Sequence, residues 1–130
     1  MKYLYVLVSN ESDYYYEQVL LSVLSLREYN PDAFIVMLVD IDTKNSLIGN
    51  RKKILNVIDK LEVVDLSHLQ DNKIKSRWLK TTMNKYINGD FLYIDCDTII
   101  TQSLLIHQNW TFDIGDRSLF LNVSFLYQIR

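Results

Sequence analysis

The sequence is poor in the residues that crosslink, bend or loosen a chain. Its 130 residues include one cysteine, one proline and three glycines. A single thiol, Cys96, cannot form an intrachain disulfide, so nothing requires an oxidising compartment. So few prolines and glycines leave no internal linker, and we expect a single domain over residues 1–130.

Long apolar runs and a strong charge of one sign are also missing. No run approaches the roughly 20 apolar residues that cross a bilayer, and Leu4–Val8 is short for a secretion signal. We therefore expect no transmembrane segment and a cytoplasmic location. The formal net charge of -2 gives no positive electrostatic field that would attract nucleic acid or an acidic membrane. A local group of cations is typical of a solvated helix face; it comprises Lys73, Lys75, Arg77, Lys80 and Lys85.

Apolar runs alternate with helical spacings over the first hundred residues. We expect strands at residues 3–8, 33–39, 61–66 and 91–95, with a polar loop at residues 40–46. Helices are expected after Ser12 or Asp13, over residues 47–58, and from Asp71 or Asn72 to Ile87. Strands that are apolar on both faces and separated by helices are typical of parallel sheets. The order predicts an α/β fold with a three-layer, Rossmann-like, mainly parallel sheet.

The last part of the chain is less regular. After Thr101 the pattern weakens, and residues 102–117 show no clean period. From Leu119 to Gln128, apolar residues alternate with a mixed set, which predicts a terminal strand.

Two aspartates stand in the apolar segment FLYIDCDTII, at residues 95 and 97. Burying a bare charge is costly, so each carboxylate needs a compensating partner. In an extended segment, residues two apart share a face, which would bring Asp95 and Asp97 together and turn Cys96 towards the core. Oxygen ligands suit Mg²⁺ or Mn²⁺, which complete their shells with water and substrate phosphates. The alternative is that both carboxylates bond to loop N–H groups or to nearby basic residues.

A second pair, Asp40 and Asp42, opens a polar loop and can stay solvated or cap a helix.

The position of this pair carries more weight than the motif. In strand order 3-2-1-4, strands 1 and 4 are neighbours, and ligands bind beyond their carboxyl ends. Ser9 and Asn10 end strand 1, where Asp95 ends strand 4. No glycine-rich phosphate loop follows strand 1. Arg77 and Lys80, three residues apart on one helix face, would then contact phosphate together with the metal.

The segment SRWLKTTMNKYINGDFLYIDCDTII, preceded by a strand, a helix and a strand ending in Asp, resembles the N-terminal half of GT-A-fold glycosyltransferases. The nearest group is glycosyltransferase family eight and its bacterial relatives. The resemblance covers roughly residues 1–101, which would form the nucleotide-sugar-binding half. It implies transfer of a sugar from a nucleotide-diphosphate donor, with a UDP-sugar foremost, to an unknown acceptor in the presence of Mn²⁺ or Mg²⁺.

The resemblance also implies roles for individual residues. Asp97 would ligate the metal, and Asp95 would assist the metal and the donor ribose. Ser9 and Asn10 would border the base and ribose pocket. Arg77 or Lys80 would face the donor phosphate or sugar. Asp40 is a weaker candidate for the same pocket.

The tail departs from the family. Only 33 residues follow Asp97, where the family continues with an acceptor-binding half and often a histidine ligand. His107 lies ten residues after Asp97, too close to be assigned that role. Residues 102–130 therefore form an atypical tail, and we hypothesise a truncated glycosyltransferase.

Two other functions stay open at this point. A haloacid-dehalogenase-like phosphatase would use Asp95 as nucleophile beside Mg²⁺, but that motif normally opens its fold. A non-catalytic donor-binding remnant or interaction domain would expose an apolar sheet edge. In that case we expect self-association.

Overall fold

The computed structural model describes residues 1–104 and the short segments 118–120 and 126–128. The strands are β1 (Lys2–Leu7), β2 (Phe34–Asp40), β3 (Lys60–Val64), β4 (Phe91–Tyr93), β5 (Thr98–Ile100), β6 (Ser118–Phe120) and β7 (Leu126–Gln128). The helices are α1 (Tyr15–Tyr29), α2 (Ile41–Ser46), α3 (Asn72–Thr81) and α4 (Met83–Tyr86), with a 3₁₀ helix at Gly49–Asn56. None of the helices in this part of the chain is long and apolar enough to cross a membrane.

The main sheet has the strand order β3-β2-β1-β4-β6, and every neighbouring pair in it is parallel. The fold is thus α/β, and the order of the first four strands is the one that was assumed above to place the candidate site. The pairing of β1 with β4 ends at Leu4 and Tyr93, whereas β1 continues to Leu7. The residues after β4 therefore run beside the part of β1 that does not pair with β4.

The central strand β1 is buried on both faces from Leu4 to Leu7. Alternate residues of β1 enter two core clusters because strand side chains point to opposite faces. Tyr5 and Leu7 pack in one cluster with residues of α1, and Leu4 and Val6 pack in the other with Leu79 of α3.

The region between β2 and β3 differs from the prediction. Residues 40–46 were expected as a loop, but Asp40 ends β2 and Ile41–Ser46 form α2. Asp40 caps this helix, because its side chain accepts hydrogen bonds from the backbone N–H and the hydroxyl of Thr43. The helix expected over residues 47–58 is a 3₁₀ helix from Gly49 to Asn56. Its supposed apolar stripe is not one buried face, since Ile48 and Leu55 are exposed.

The helix expected from Asp71 to Ile87 is interrupted. Its start is confirmed, because Asp71 accepts a hydrogen bond from the N–H of Lys73. The break falls at Thr82, where the hydroxyls of Thr81 and Thr82 both donate to the carbonyl of Trp78. Threonines that bond to their own backbone in this way weaken the regular helical pattern. Gly89 has φ of 81°, which fits the expected left-handed stop.

The terminal strand expected from Leu119 to Gln128 is described at its two ends. Residues 118–120 form β6 beside β4, and residues 126–128 form β7, antiparallel to β5. The intervening residues of that prediction lie outside the described part of the chain, as does His107.

Candidate functional site

A cleft of about 480 Å³ opens where β1 and β4 end, between the first turns of α1 and the length of α3. Its volume is within the range of roughly 300–1,000 Å³ that small-molecule sites occupy. The floor consists of Val6, Leu7 and Val8 from the end of β1. The walls consist of Tyr15, Gln18, Asn72, Lys73, Ser76, Arg77, Lys80, Thr81, Asp95, Cys96 and Asp97.

Asp95 and Asp97 lie in the turn between β4 and β5 and both line the cleft. The expectation that they continue an extended strand is wrong, because β4 ends at Tyr93. The turn is held at both ends. The N–H of Ile94 donates to the carbonyl of Leu4 over 2.9 Å, and the Thr98 hydroxyl donates to the carbonyl of Asp95 over 2.6 Å. The two carboxylates thus share the cleft because of the turn, not because of strand alternation.

One oxygen of Asp95 is well supplied with donors. Its Oδ1 accepts from the Tyr93 hydroxyl over 3.2 Å and from the backbone N–H of Cys96 over 3.1 Å. The Lys80 ammonium lies 3.7 Å from the same oxygen. Burial, followed by the negative charge of Asp95, raises the pKa of Tyr93, so its hydroxyl stays protonated and remains a donor. The sequence left open that the carboxylates bond to loop N–H groups or to basic residues. Asp95 Oδ1 does both, through the N–H of Cys96 and the ammonium of Lys80.

Asp97 is placed differently. Its Oδ1 is buried and accepts no hydrogen bond from any residue in the described part of the chain. A buried acceptor left without a donor costs roughly 1–3 kcal/mol, and more if it is charged. Such an atom is usually explained by a bound ion or water, or by a functional role. The oxygen donors of Asp97 and Asp95 fit a hard divalent cation, with water and phosphate completing its shell.

The metal would need ligands from outside this pair. Within residues 1–104 and the two short C-terminal segments, no group of three or more His, Cys, Asp or Glu side chains converges. Mg²⁺ commonly uses one or two carboxylates and obtains its other ligands from water and substrate phosphates. The carboxylate pair therefore suits a metal that arrives with its substrate.

The cations of α3 do not form one solvated face. Lys73, Arg77 and Lys80 line the cleft, as their spacing of four and three residues on a helix allows. Lys73 and Arg77 form no ion pair with any described residue, so their charges are directed at solvent or a ligand. The sequence prediction that Arg77 and Lys80 share a helix face is confirmed. Lys85 lies outside the cleft, 5.6 Å from the centre of the Trp78 ring.

Lys75 and Asp40 form a buried pair outside the cleft. Lys75 Nζ lies 3.0 Å from Asp40 Oδ2 and 2.8 Å from Asp42 Oδ2. Burial would lower the pKa of Lys75, but its hydrogen bonds to Asp42 and Asp40 outweigh this and raise the pKa. Asp40 does not line the cleft, so the structure separates it from the other candidates. The interpretation of Lys75 as part of a solvated face is wrong.

Ser9 and Asn10 lie in the loop after β1, next to the cleft, but neither lines it. Ser9 is buried, and its hydroxyl donates to Asp13 over 2.6 Å while its N–H donates to the Thr43 hydroxyl over 3.0 Å. Arg51 donates to the Ser9 hydroxyl and to the carbonyl of the exposed Asn10. These contacts hold the loop after β1 and leave only Asn10 accessible.

Several lining residues escaped the sequence analysis. Tyr15 and Gln18 lie on the first turns of α1, which follows β1 and so starts at the edge where the cleft opens. That topology was the one clue that could have identified them. Cys96 packs against the core as expected, yet it also lines the cleft and donates to the carbonyl of Val6. Burial and the charge of Asp95 raise the pKa of this thiol to about 12, so it is a poor nucleophile.

Comparison with known proteins adds no family. No protein-family model matches this chain, and no curated protein matches it significantly. The functional assignment therefore depends on the cleft itself.

Proposed function

We propose that the cleft binds a nucleotide-diphosphate sugar together with Mn²⁺ or Mg²⁺, and that the chain is the donor-binding part of a glycosyltransferase. In this proposal the fold is a three-layer, Rossmann-like GT-A domain, with a UDP-sugar as the foremost donor. The acceptor is unknown. The support comes from the position of the cleft beyond the ends of β1 and β4, where ligands bind in open α/β sheets.

A single observation carries the proposal. Asp97 lines a cleft that also holds Lys73 and Arg77, and its Oδ1 is buried with no hydrogen-bond partner among the described residues. Carboxylates alone would favour a metal, and cations alone would favour a phosphate. Both kinds of charge in one cleft favour a metal–diphosphate pair.

The residues of the cleft can then be given roles. Asp97 and Asp95 would hold the metal, and Tyr93 would orient Asp95 by donating to its Oδ1. Arg77 and Lys80 would bind the diphosphate oxygens through charge-assisted hydrogen bonds. When bound, the metal would neutralise charge that develops on the leaving diphosphate. Arg77 would contribute to the same neutralisation from α3.

The first test is a binding titration. UDP-sugars and GDP-sugars are titrated into the wild-type chain with and without Mn²⁺, and into Asp97→Asn. We expect binding that requires Mn²⁺ and weakens roughly tenfold or more in Asp97→Asn, because a charged ligand is lost. Asp32→Asn, which removes an exposed carboxylate before β2, is the matched control and should bind like the wild type.

The outcomes separate the alternatives. Metal-dependent binding with slow hydrolysis of the sugar nucleotide, in which water takes the sugar and UDP is released, supports a transferase. Binding without any turnover supports a donor-binding remnant. Phosphate release from an aryl phosphate that is lost in Asp95→Asn would support the phosphatase. Binding with the same affinity in the presence and absence of Mn²⁺, and in the wild type and Asp97→Asn, would refute the proposal.

A further inference from the structure

Lys80 makes the single ion pair that the described residues place inside the cleft. Its Nζ lies 3.7 Å from Asp95 Oδ1, and the two side chains are 40% and 48% exposed. A pair with this much exposure is screened by water and contributes about 1 kcal/mol or less. It can therefore be broken at little cost when a better partner for either charge arrives.

The other donors to Asp95 are of a different kind. The Tyr93 hydroxyl and the Cys96 N–H are neutral groups, held by β4 and by the turn itself. Lys80 reaches the same oxygen from α3 on a flexible side chain, and it alone of these three partners carries charge. A divalent cation bound by Asp95 and Asp97 would repel the Lys80 ammonium, while the two neutral donors could stay in place.

Lys80 could also bind a diphosphate in the cleft. Lys73 and Arg77 lie on the same face of α3, so a diphosphate beside them would be within the region that the Lys80 side chain lines. Phosphate oxygens carry more charge than one carboxylate and accept several ammonium hydrogen bonds.

We propose that Lys80 is an exchangeable counter-ion of Asp95: the divalent cation displaces the ammonium, and the diphosphate accepts it. This inference rests on the proposed function, because it assigns the order of events at the same cleft. Lys80 then opposes the binding of metal alone and favours the binding of metal with diphosphate. The two ligands become coupled, since each makes the displacement of Lys80 from Asp95 less costly for the other.

The test compares two affinities in one set of variants. Calorimetry and the electron paramagnetic resonance signal of free Mn²⁺ give the affinity for Mn²⁺ alone. Calorimetry at saturating Mn²⁺ gives the affinity for UDP. In Lys80→Gln we expect Mn²⁺ alone to bind roughly three- to tenfold more tightly, because a neighbouring positive charge is removed. The same variant should bind UDP with Mn²⁺ roughly tenfold more weakly, because a charge-assisted hydrogen bond is lost.

Two further variants exclude simpler explanations. Lys73→Gln removes the same charge from the same helix and cleft but from a side chain that does not pair with Asp95. It should change the affinity for Mn²⁺ alone by less than about twofold, because exposed charges beyond contact range are screened. Lys80→Arg keeps the charge and should bind Mn²⁺ as the wild type does. Circular dichroism confirms that each variant is folded.

The results distinguish this inference from the proposed function. In one outcome, Mn²⁺ and UDP bind in a way that requires Asp97 while Lys80→Gln and Lys73→Gln shift the Mn²⁺ affinity equally or not at all. That result would refute the exchange of Lys80 and would still support the proposed donor site. If the wild type binds neither Mn²⁺ nor UDP, both proposals fall.

Discussion

Lys75 Nζ lies 3.0 Å from Asp40 Oδ2, and the two side chains are only 4% and 2% exposed. This contact joins the first turn of α3 to the end of β2. Because α3 also carries Lys73, Arg77 and Lys80, the buried pair fixes the helix that supplies every cation of the cleft. The pair is thus part of the scaffold behind the site.

Removing the charge of Lys75 should strongly destabilise the chain. Lys75→Met leaves the Asp40 carboxylate buried without its cation, which typically costs about 3–5 kcal/mol. Urea denaturation followed by circular dichroism measures the loss. The double variant Asp40→Asn/Lys75→Met removes both charges, keeps an oxygen that can accept from Thr43, and should recover much of the loss. A Lys75→Met chain as stable as the wild type would show that the pair is not a scaffold element.

Asp59 should make stability depend on pH in the acid range. Burial opposes ionisation, but hydrogen bonds from the N–H of Ile35 and from Arg27, with the Arg27 charge, outweigh it and lower the pKa of Asp59 below 3.8. A carboxyl with a lowered folded-state pKa stabilises the fold above its unfolded value, and this stabilisation is lost as pH falls through the folded-state pKa. The stability difference between wild type and Asp59→Asn should therefore be largest near neutral pH and shrink below about pH 4.

Denaturation curves across this pH range provide the measurement. Asp32→Asn, at an exposed position near the same end of the sheet, is the control and should run parallel to the wild type. A difference for Asp59→Asn that stays constant down to about pH 2 would contradict the assignment.

Tyr93→Phe should weaken the proposed metal site with little effect on folding elsewhere. The variant removes the hydroxyl that donates to Asp95 Oδ1 over 3.2 Å. Loss of a group that orients a metal ligand typically lowers metal affinity about 10- to 100-fold, and we expect the lower end here. Calorimetric titration with Mn²⁺ and UDP tests this. Tyr86→Phe, on α4 outside the cleft, is the matched control; equal losses in both variants would show a general effect on packing.

Gly89 should resist substitution because of its backbone and not because of its surroundings. Its φ is 81°, and a Cβ there would meet nothing closer than Lys2 Nζ at 4.0 Å. Gly89→Ala should therefore cost about 1–2 kcal/mol in the free energy of unfolding, since an L side chain is strained in this region. Gly89→Asn should cost less, because asparagine tolerates the left-handed conformation. Thermal denaturation compares the two variants, and equal stability of both with the wild type would contradict the prediction.

The sequence by itself determined the parts that depend on local patterns. Apolar runs separated by helical spacings were enough to predict a parallel sheet, because strands that are apolar along their whole length are typical of parallel sheets. The sharing of one face by Arg77 and Lys80 followed from helical periodicity. The position of Asp95 shortly after β4, beside the part of β1 beyond Leu4, agrees with the strand order assumed from the sequence.

Only the tertiary structure decided how individual charges are used. Lys75 and Arg77 are two residues apart on one helix, yet Lys75 is buried against Asp40 and Arg77 lines the cleft. Asp95 and Asp97 are equally close in sequence, yet Asp95 has donors and Asp97 Oδ1 has none among the described residues. Helical periodicity indicates the direction in which a side chain points. The partner that the side chain meets there belongs to another segment of the chain. That partner decides whether a charge stabilises the fold or stays available to a ligand.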